Sequence, residues 1–510
     1  MPRYAAVDIG SNSLRWQVGE ILPGKPMEVL AAERSVTRLG ESVFRTGAIS
    51  PEAMELVCQK LQEAAREIRR FDVVATRAVA TAAVRDASNQ HVFVARAAEA
   101  LGAPVEVISG QEEARLVHLG VQARWPHPRQ RILIVDLGGG SAEAILAENG
   151  NLVQAVSKPL GAVRLTESFL KNDPPTRLEL HQLDEFIQEK IAAIAEKIRP
   201  GKLHRVIATS ASAAAIVCSI NRVDRAHRET ADRLRATTRQ IRKFYGTISA
   251  MDLAQRRKVS GIGPRRAEII IAGAAVFLRL LERLQLPAMY YTLAGVRDGI
   301  IADLHARGAG RDLSRLSREQ RRVCEEMARK YAVPLAHARK VAQLAQSLFD
   351  QLQAIHQLPP FYGKMIEAAA LLHDVGHYVS DTGHHKHSHY LVSNSDLPGF
   401  TDTERALIAA LCRYHRKSMP SARHDTLNPL DAEARRAVLL LIPILRLADS
   451  LDRGHQQDVD EVECSTRNGR VVIALRSSRD TDLEQWAAER AAPLFRQVYD
   501  REVAILRARS

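Results

Sequence analysis

Two segments of this chain read as one structural unit written twice. Asp8-Ile9-Gly10-Ser11-Asn12-Ser13 and Asp136-Leu137-Gly138-Gly139-Gly140-Ser141 each close an apolar, β-branched run, AAVDIG and ILIVDLGG, and each run on into small hydroxyl or amide residues. Such runs ending at glycine have the signature of buried strands that stop in a tight turn. Two copies of one strand-turn unit predict two related lobes facing a shared cleft.

The chemistry of the two turns follows from their atoms. Glycine at 10 and at 138–140 leaves backbone N–H groups uncovered and lets a phosphate approach the main chain. Ser11, Asn12, Ser13 and Ser141 add side-chain donors. An aspartate in the same place repels phosphate unless a cation lies between them. Asp8 and Asp136 therefore imply Mg²⁺, a hard ion that bridges carboxylates to phosphate oxygens.

At 510 residues the chain exceeds one hydrophobic core, and two to four domains are expected. Strand-like and helix-like segments alternate through residues 1–300, with helical apolar spacing over 51–70, 110–123 and 177–199, so an α/β architecture is predicted there. Residues 306–316, rich in glycine and arginine, read as a linker. From 317 to 455 the periodicity is helical, then comes a hairpin turned at Asn468–Gly469 and a final helix near 481–506. The five cysteines are scattered without a CxxC pair, as buried thiols in a reducing compartment are. No run approaches membrane-span length and the start lacks a secretory pattern, so a cytoplasmic location without membrane partners is expected. The net charge of +13 favours a polyanionic partner, while an aromatic content of only 5% argues against a stacking surface for specific nucleic acid.

Between the loops lies Ile108-Ser109-Gly110-Gln111-Glu112-Glu113, where Ser109 or Gly110 starts a helix. Either glutamate in that first turn complements the helix dipole, and either can deprotonate a water that attacks a terminal phosphoryl group. Glu143 offers a further carboxylate at the second loop, and Arg85 a cation for the transferring group.

These segments, with ATAAVRDASN (80–89), VEVISGQEEARL (105–116), KPLGAVRLTE (158–167) and RRAEIIIAGAAV (265–276), resemble the exopolyphosphatase/guanosine pentaphosphatase group of the actin-like ATPase superfamily. The resemblance runs through nearly all of residues 1–305. It implies a ribonuclease H-like, actin-like pair of lobes, 1–127 and 128–305, with phosphate in the cleft, and a homodimer. It also implies metal ligation at Asp136 and Glu143 and a general base at Glu113, with Glu112 adjacent. Where the family often has an SGT-type phosphate loop, this chain reads Ile207-Ala208-Thr209-Ser210-Ala211-Ser212-Ala213, in which Ser210 still donates.

Residues 317–510 carry a second pattern. His337, His373-Asp374 and Asp449 sit inside apolar helical runs, with Gly376 expected to end the helix bearing His373. Ionisable groups there are costly unless paired or metal-bound. The ordered set resembles the HD phosphohydrolase superfamily, which implies a mainly α-helical HD-type domain and a site for Mn, Fe, Mg or Zn. His377, His384, His385, His387, His389 and His415 can add a second ion or a phosphate-contacting surface. The leading expectation is an exopolyphosphatase, a Mg²⁺-dependent hydrolase releasing orthophosphate from inorganic polyphosphate ends. The alternatives are conversion of guanosine pentaphosphate to tetraphosphate, phosphotransfer, and a non-catalytic sensor of polyphosphate or alarmone.

Overall fold

The structure is a computed structural model that describes residues 2–22, 27–198, 201–308, 315–421, 425–467 and 469–507. The chain forms two compact units, Met1–Ala309 and Gly310–Ser510.

In the first unit, strands β1 (Arg3–Ile9), β2 (Ser13–Glu20), β3 (Glu28–Val36), β4 (Ala75–Ala80) and β5 (Val105–Val107) form one sheet in the order β3-β2-β1-β4-β5. The second sheet holds β6 (Arg131–Leu137), β7 (Ala142–Glu148), β8 (Asn151–Lys158), β9 (Arg205–Thr209), β10 (Arg235–Thr237) and β11 (Ala288–Tyr291), ordered β10-β11-β9-β6-β7-β8. β1 to β3 and β6 to β8 are antiparallel meanders, while β4 continues β1 and β9 continues β6 in parallel. The repeat read in the loops thus extends to the sheets, which share one five-strand plan with β10 added. This is the actin-like, two-lobed α/β fold.

Side-chain alternation sets where the two aspartates point. In β1, Ala5, Val7 and Ile9 face the helices Pro51–Ile68 and Gln90–Leu101, while Tyr4 and Ala6 face a different core. In β6, Leu133, Val135 and Leu137 face the second lobe's own helices, while Ile132 and Ile134 join that same other core. It is built around Leu116, Val117 and Val121 of the helix Gly110–Arg124 and Ile300 and Ile301 of the helix Val296–Gly308. These helices meet at glycines: a Cβ on Gly299 would overlap the Leu116 carbonyl, and one on Gly120 the Gly295 carbonyl. Asp8 and Asp136 lie on the even-numbered face of each strand, the face turned toward these shared helices.

The second unit is mainly helical, with Arg318–Lys330, Leu335–Gln351, Tyr362–Leu372, His384–Ser393, Asp402–Tyr414 and Ala432–Ser450 around one core. Three expectations change here. The helix bearing His373 stops at Leu372, ahead of Gly376, which lies in the 3₁₀ turn Val375–Tyr378. Gly376 is small because the helix His384–Ser393 passes against it; a Cβ there would overlap the His384 carbonyl. The last helix, Asp482–Tyr499, ends at Asp500 in the left-handed conformation (φ 52°). Val503–Arg507 then forms β14, parallel to β13 (Arg470–Arg476), itself antiparallel to β12 (Glu461–Arg467), because the alternating VAILR pattern suits a strand. Asn468 of the expected turn, and 309–314 of the expected linker, lie outside the described residues. Leu316 already belongs to the second core, its N–H donating to Glu367 Oε2 at 2.9 Å. Four of the five free cysteines are buried. No helix among the described residues is long and apolar enough to cross a membrane.

Candidate active site

The two turns are closed by the same bond. Gly10 N–H donates to Ser13 O at 3.1 Å, and Gly138 N–H donates to Ser141 O at 2.9 Å. The loops also come together in space, a Cβ on Gly139 falling 3.0 Å from Ser11 Cβ and one on Gly140 only 2.6 Å from Ala82 Cβ. A cavity of about 360 Å³ opens on them. Its lining includes Asp8, Glu113 and Asp136 together with Gly10, Ser11, Asn12, Ser13, Gly138, Gly139, Gly140, Ser141 and Ser210. Ser210 holds a φ of 106° and caps the helix Ala211–Ile220 by accepting from Ala213 N–H. That backbone region favours glycine, so the TSASA segment keeps a glycine-like conformation without the glycine.

Cross-strand register separates the two copies. Asp136 on β6 is opposite Glu143 on β7, whereas Asp8 on β1 is opposite Arg15 on β2. Glu143 is fully buried; Ser157 Oγ donates to its Oε1 at 2.7 Å and its Oε2 has no hydrogen-bond partner. Burial, reinforced by Asp136, pushes the Glu143 carboxyl up to about 7. Burial likewise pushes Asp136 up to about 6, with Arg15 opposing and Asp8 adding, and it raises Asp8 against the pull of Arg15 and Arg297. Asp8 raises Asp136 and Asp136 raises Glu143, and carboxylates that repel one another in this way are a donor set of the type that takes a hard divalent cation.

The two adjacent glutamates part company. Ser109 caps the helix Gly110–Arg124 by accepting from Glu112 N–H at 3.2 Å, so Glu112 and Glu113 stand on different faces of its first turn. Glu113 points into the cavity with Oε2 lacking a hydrogen-bond partner; Arg85 Nη1 lies 3.7 Å away. Burial first, then Glu143, Asp136 and Asp8 against the opposing Arg85, holds Glu113 well above the ordinary glutamate range. Glu112 instead pairs with Arg115 at 2.7 Å and Arg77 at 3.1 Å, in a buried network shared with Asp303. Burial alone raises Glu112, yet the two arginines outweigh it and lower its pKa. Arg85 also differs from expectation: its Nη1 donates to Ile108 O at 2.6 Å, and it stands beside Glu113 rather than lining the cavity.

A wall that sequence reasoning did not single out completes the site. Arg15, Arg34, Arg225, Arg228, Arg266 and Arg297 all line the cavity, and among the described residues none pairs with a carboxylate within ion-pair distance. Burial, followed by Arg15 and Arg228, brings Arg34 down to about 9, and burial with Arg15 brings Arg297 down to about 10. A second cavity of about 510 Å³ shares Asn12, Arg34, Arg225, Arg228 and Arg266 with the first and adds Arg265, Val36, and small or proline residues. Arginines gathered in this number, none in an ion pair among the described residues, form a binding surface for a multiply charged anion.

In the second unit, His337, His373 and Asp449 converge, their candidate ligand atoms all within 4.8 Å of one another. His337 Nε2 and His373 Nε2 each lie 3.5 Å from Asp449 Oδ1, and both nitrogens are buried without a hydrogen-bond partner. Asp374 Oδ2 lies 3.5 Å from His373 Nε2. The four side chains expected to gather are therefore adjacent.

Residues 17–307 match the Ppx/GppA phosphatase family, and residues 320–490 match the Ppx/GppA phosphatase domain III. Among solved structures, the Aquifex aeolicus member of the Ppx/GppA family is 28% identical (TM-score 0.53), the match covering 60% of this chain and 99% of that one. An exopolyphosphatase-like protein is also 28% identical (TM-score 0.56), over 60% of this chain and 98% of its own. An exopolyphosphatase from Cytophaga hutchinsonii, 23% identical (TM-score 0.54) over 59% and 97%, shares the fold.

Proposed function

Because this chain belongs to the Ppx/GppA phosphatase family, we propose that its N-terminal unit hydrolyses the terminal phosphoanhydride bond of inorganic polyphosphate and releases orthophosphate. The carrying observation is the joining of the cavity that holds Glu113 and the twin loops to a second one walled by arginine and small side chains. That run suits a chain of phosphates, each carrying charge, more closely than a nucleoside, whose base calls for a stacking or hydrogen-bonding pocket.

The terminal phosphate sits against the backbone N–H groups of the two loops, with Ser11, Asn12, Ser13 and Ser141 donating to its oxygens. The arginines neutralise the following phosphates and fix the chain in line for attack. Glu113, held basic by its surroundings, takes the proton from the water that attacks phosphorus. Arg85 beside it orients the carboxylate. A magnesium ion bound by Asp8, Asp136 and Glu143 would offset their mutual repulsion and draw charge from the reacting phosphate.

Turnover of long polyphosphate, tripolyphosphate and guanosine pentaphosphate by the whole chain with Mg²⁺ tests the assignment. The expected order of kcat/KM places long polyphosphate first, with a KM that rises steeply with salt. A preference for guanosine pentaphosphate would move the substrate to the nucleotide, and absence of release from all three would leave a binding protein.

A further inference from the structure

We infer that Arg164 is a positioning residue for phosphate release: it ties the second glycine loop to the opposite lobe, and the loop's N–H groups keep their aim only while Arg164 holds Asp86. The inference rests on the reading of the glycine loops as the seat of the terminal phosphate.

Each loop is held from behind by the N-terminal end of a helix of its own lobe. Gly40 N–H, in the first turn of the helix Leu39–Thr46, donates to Ser11 O at 2.7 Å, and Thr37 N–H and Arg38 N–H both donate to Asn12 O at 3.3 Å. In the second lobe, Ala162 N–H of the helix Ala162–Phe169 donates to Gly138 O at 3.0 Å. Val163 N–H and Arg164 N–H donate to Gly139 O at 2.9 and 3.0 Å. The Arg164 side chain takes the third carbonyl, Nε donating to Gly140 O at 2.8 Å. In a trans peptide the C=O and the following N–H point opposite ways. Three carbonyls turned onto one helix end therefore turn the N–H groups of Gly139, Gly140 and Ser141 the other way, toward the cavity that these residues line.

What sets Arg164 apart is its far end. Nη2 pairs with Asp86 Oδ2 of the first lobe, and the guanidinium carbon stands 4.0 Å from the centre of the Phe44 ring, also of the first lobe. Phe44 in turn packs against Ala162, Val163 and Ile269 of the second lobe. Asp86 ends the short helix Ala82–Asp86, next to Arg85, the cation 3.7 Å from Glu113. One guanidinium thus joins the loop carbonyl, the opposite lobe and the helix that carries the cation beside the base. A planar, forked group serves three contacts at once, which the point charge of a lysine does not. A matching contact leaves the helix behind the first loop, where Arg38 Nη2 lies 3.1 Å from Glu268 Oε2 of the second lobe. The Arg164–Asp86 pair is partly exposed, and such pairs contribute little to stability. Its effect is therefore expected in the kinetics and in local opening rather than in the melting temperature.

The test uses the full-length protein with Mg²⁺ and long polyphosphate, as Arg164→Ala and as the nearly isosteric Asp86→Asn. Both are expected to lose about 10–10²-fold in kcat with KM little changed, because the loop is misaimed and not removed. Asp86→Asn is expected to melt as the wild type does. Guanidinium ion, added well below denaturing concentration, is expected to restore part of kcat to Arg164→Ala and none to Asp86→Asn, which lacks the carboxylate that would hold it. Hydrogen exchange supplies a readout that needs no turnover. Asp86→Asn changes no residue of the second lobe, yet the amides of 162–164 are expected to exchange faster than in the wild type. Unchanged kcat in either variant, absence of rescue by guanidinium, or unaltered exchange at 162–164 in Asp86→Asn would overturn the role of Arg164. Accelerated exchange in Asp86→Asn alongside a wild type that turns over no polyphosphate would uphold the tie between lobe and loop and overturn the substrate reading instead.

Discussion

Glu112 and Glu113 differ by one position and a turn of about 100° on the helix, and that rotation separates a structural ion pair from a cleft carboxylate. Losing the Glu112 charge leaves Arg77 and Arg115 buried beside Asp303 with one counter-charge fewer. Glu112→Gln is therefore expected to cost about 3–5 kcal/mol of stability, read from denaturant unfolding, with per-molecule activity largely kept below the melting range. The same network fixes a pH dependence. Burial raises Asp303, but Arg115, Arg307 and Arg77 outweigh it and hold its carboxyl far below the usual range, and Glu112 is lowered as well. Carboxyls depressed in the folded state stabilise above the unfolded pKa, so this contribution is present at neutral pH and is lost as pH falls below about 4. Retained acid stability in the wild type would contradict it. The residues alone do not separate the two glutamates, both first-turn acids behind a serine cap, and only the family resemblance points to Glu113; the helix's neighbours, brought in from residues 77 and 303, set Glu112 apart.

At the scale of elements, the twin strand–turn units were legible because their signal is local: period-two apolar runs, a stop at glycine, and small donors. The helices 51–70, 110–123 and 177–199 were legible for the same reason, and the structure gives Pro51–Ile68, Gly110–Arg124 and Arg177–Lys197. The arginine wall was not, since its members come from β2, β3, the 225–228 turn, residue 266 and the helix Val296–Gly308, and each alone looks like a solvated charge. One of them, Arg266, lies in the segment RRAEIIIAGAAV that carries part of the family resemblance. β14 was not legible because no proline or glycine stands between the helix Asp482–Tyr499 and the strand, the break being Asp500 in the left-handed region. How loop and helix fit is also testable. Gly161 is the N-cap of the helix Ala162–Phe169 at an ordinary φ of −65°, and a Cβ there would overlap the backbone of Gly139 and Gly140. Gly161→Ala is thus expected to lower stability by about 1–3 kcal/mol through overpacking and to displace the second loop. Phosphate release should fall more than the folded fraction does; unchanged kinetics would mean that the loop's position does not matter.

For the whole molecule, charge and length bounded the answer without choosing it. A net charge of +13 says that an anion is welcome somewhere. The structure spends part of that charge on six arginines in one cavity and another part around the histidine cluster of the second unit. Two-lobed architecture follows from the duplicated sheets, and the shared helices explain why two loops far apart in sequence open on one cavity. Glu113 stands where that architecture brings both loops within reach of one carboxylate. The most direct test of this account is the initial rate of orthophosphate release from long polyphosphate by wild type and Glu113→Gln, with Mg²⁺, as a function of pH. A base whose pKa is raised is protonated and idle below it, so wild-type activity should climb with pH along an acid limb centred above about 4.3, the ordinary glutamate value. Glu113→Gln should be slower by about 10²–10⁴-fold and should lack that limb. Undiminished release by folded Glu113→Gln, with the limb intact, would contradict the assignment of Glu113 as the base.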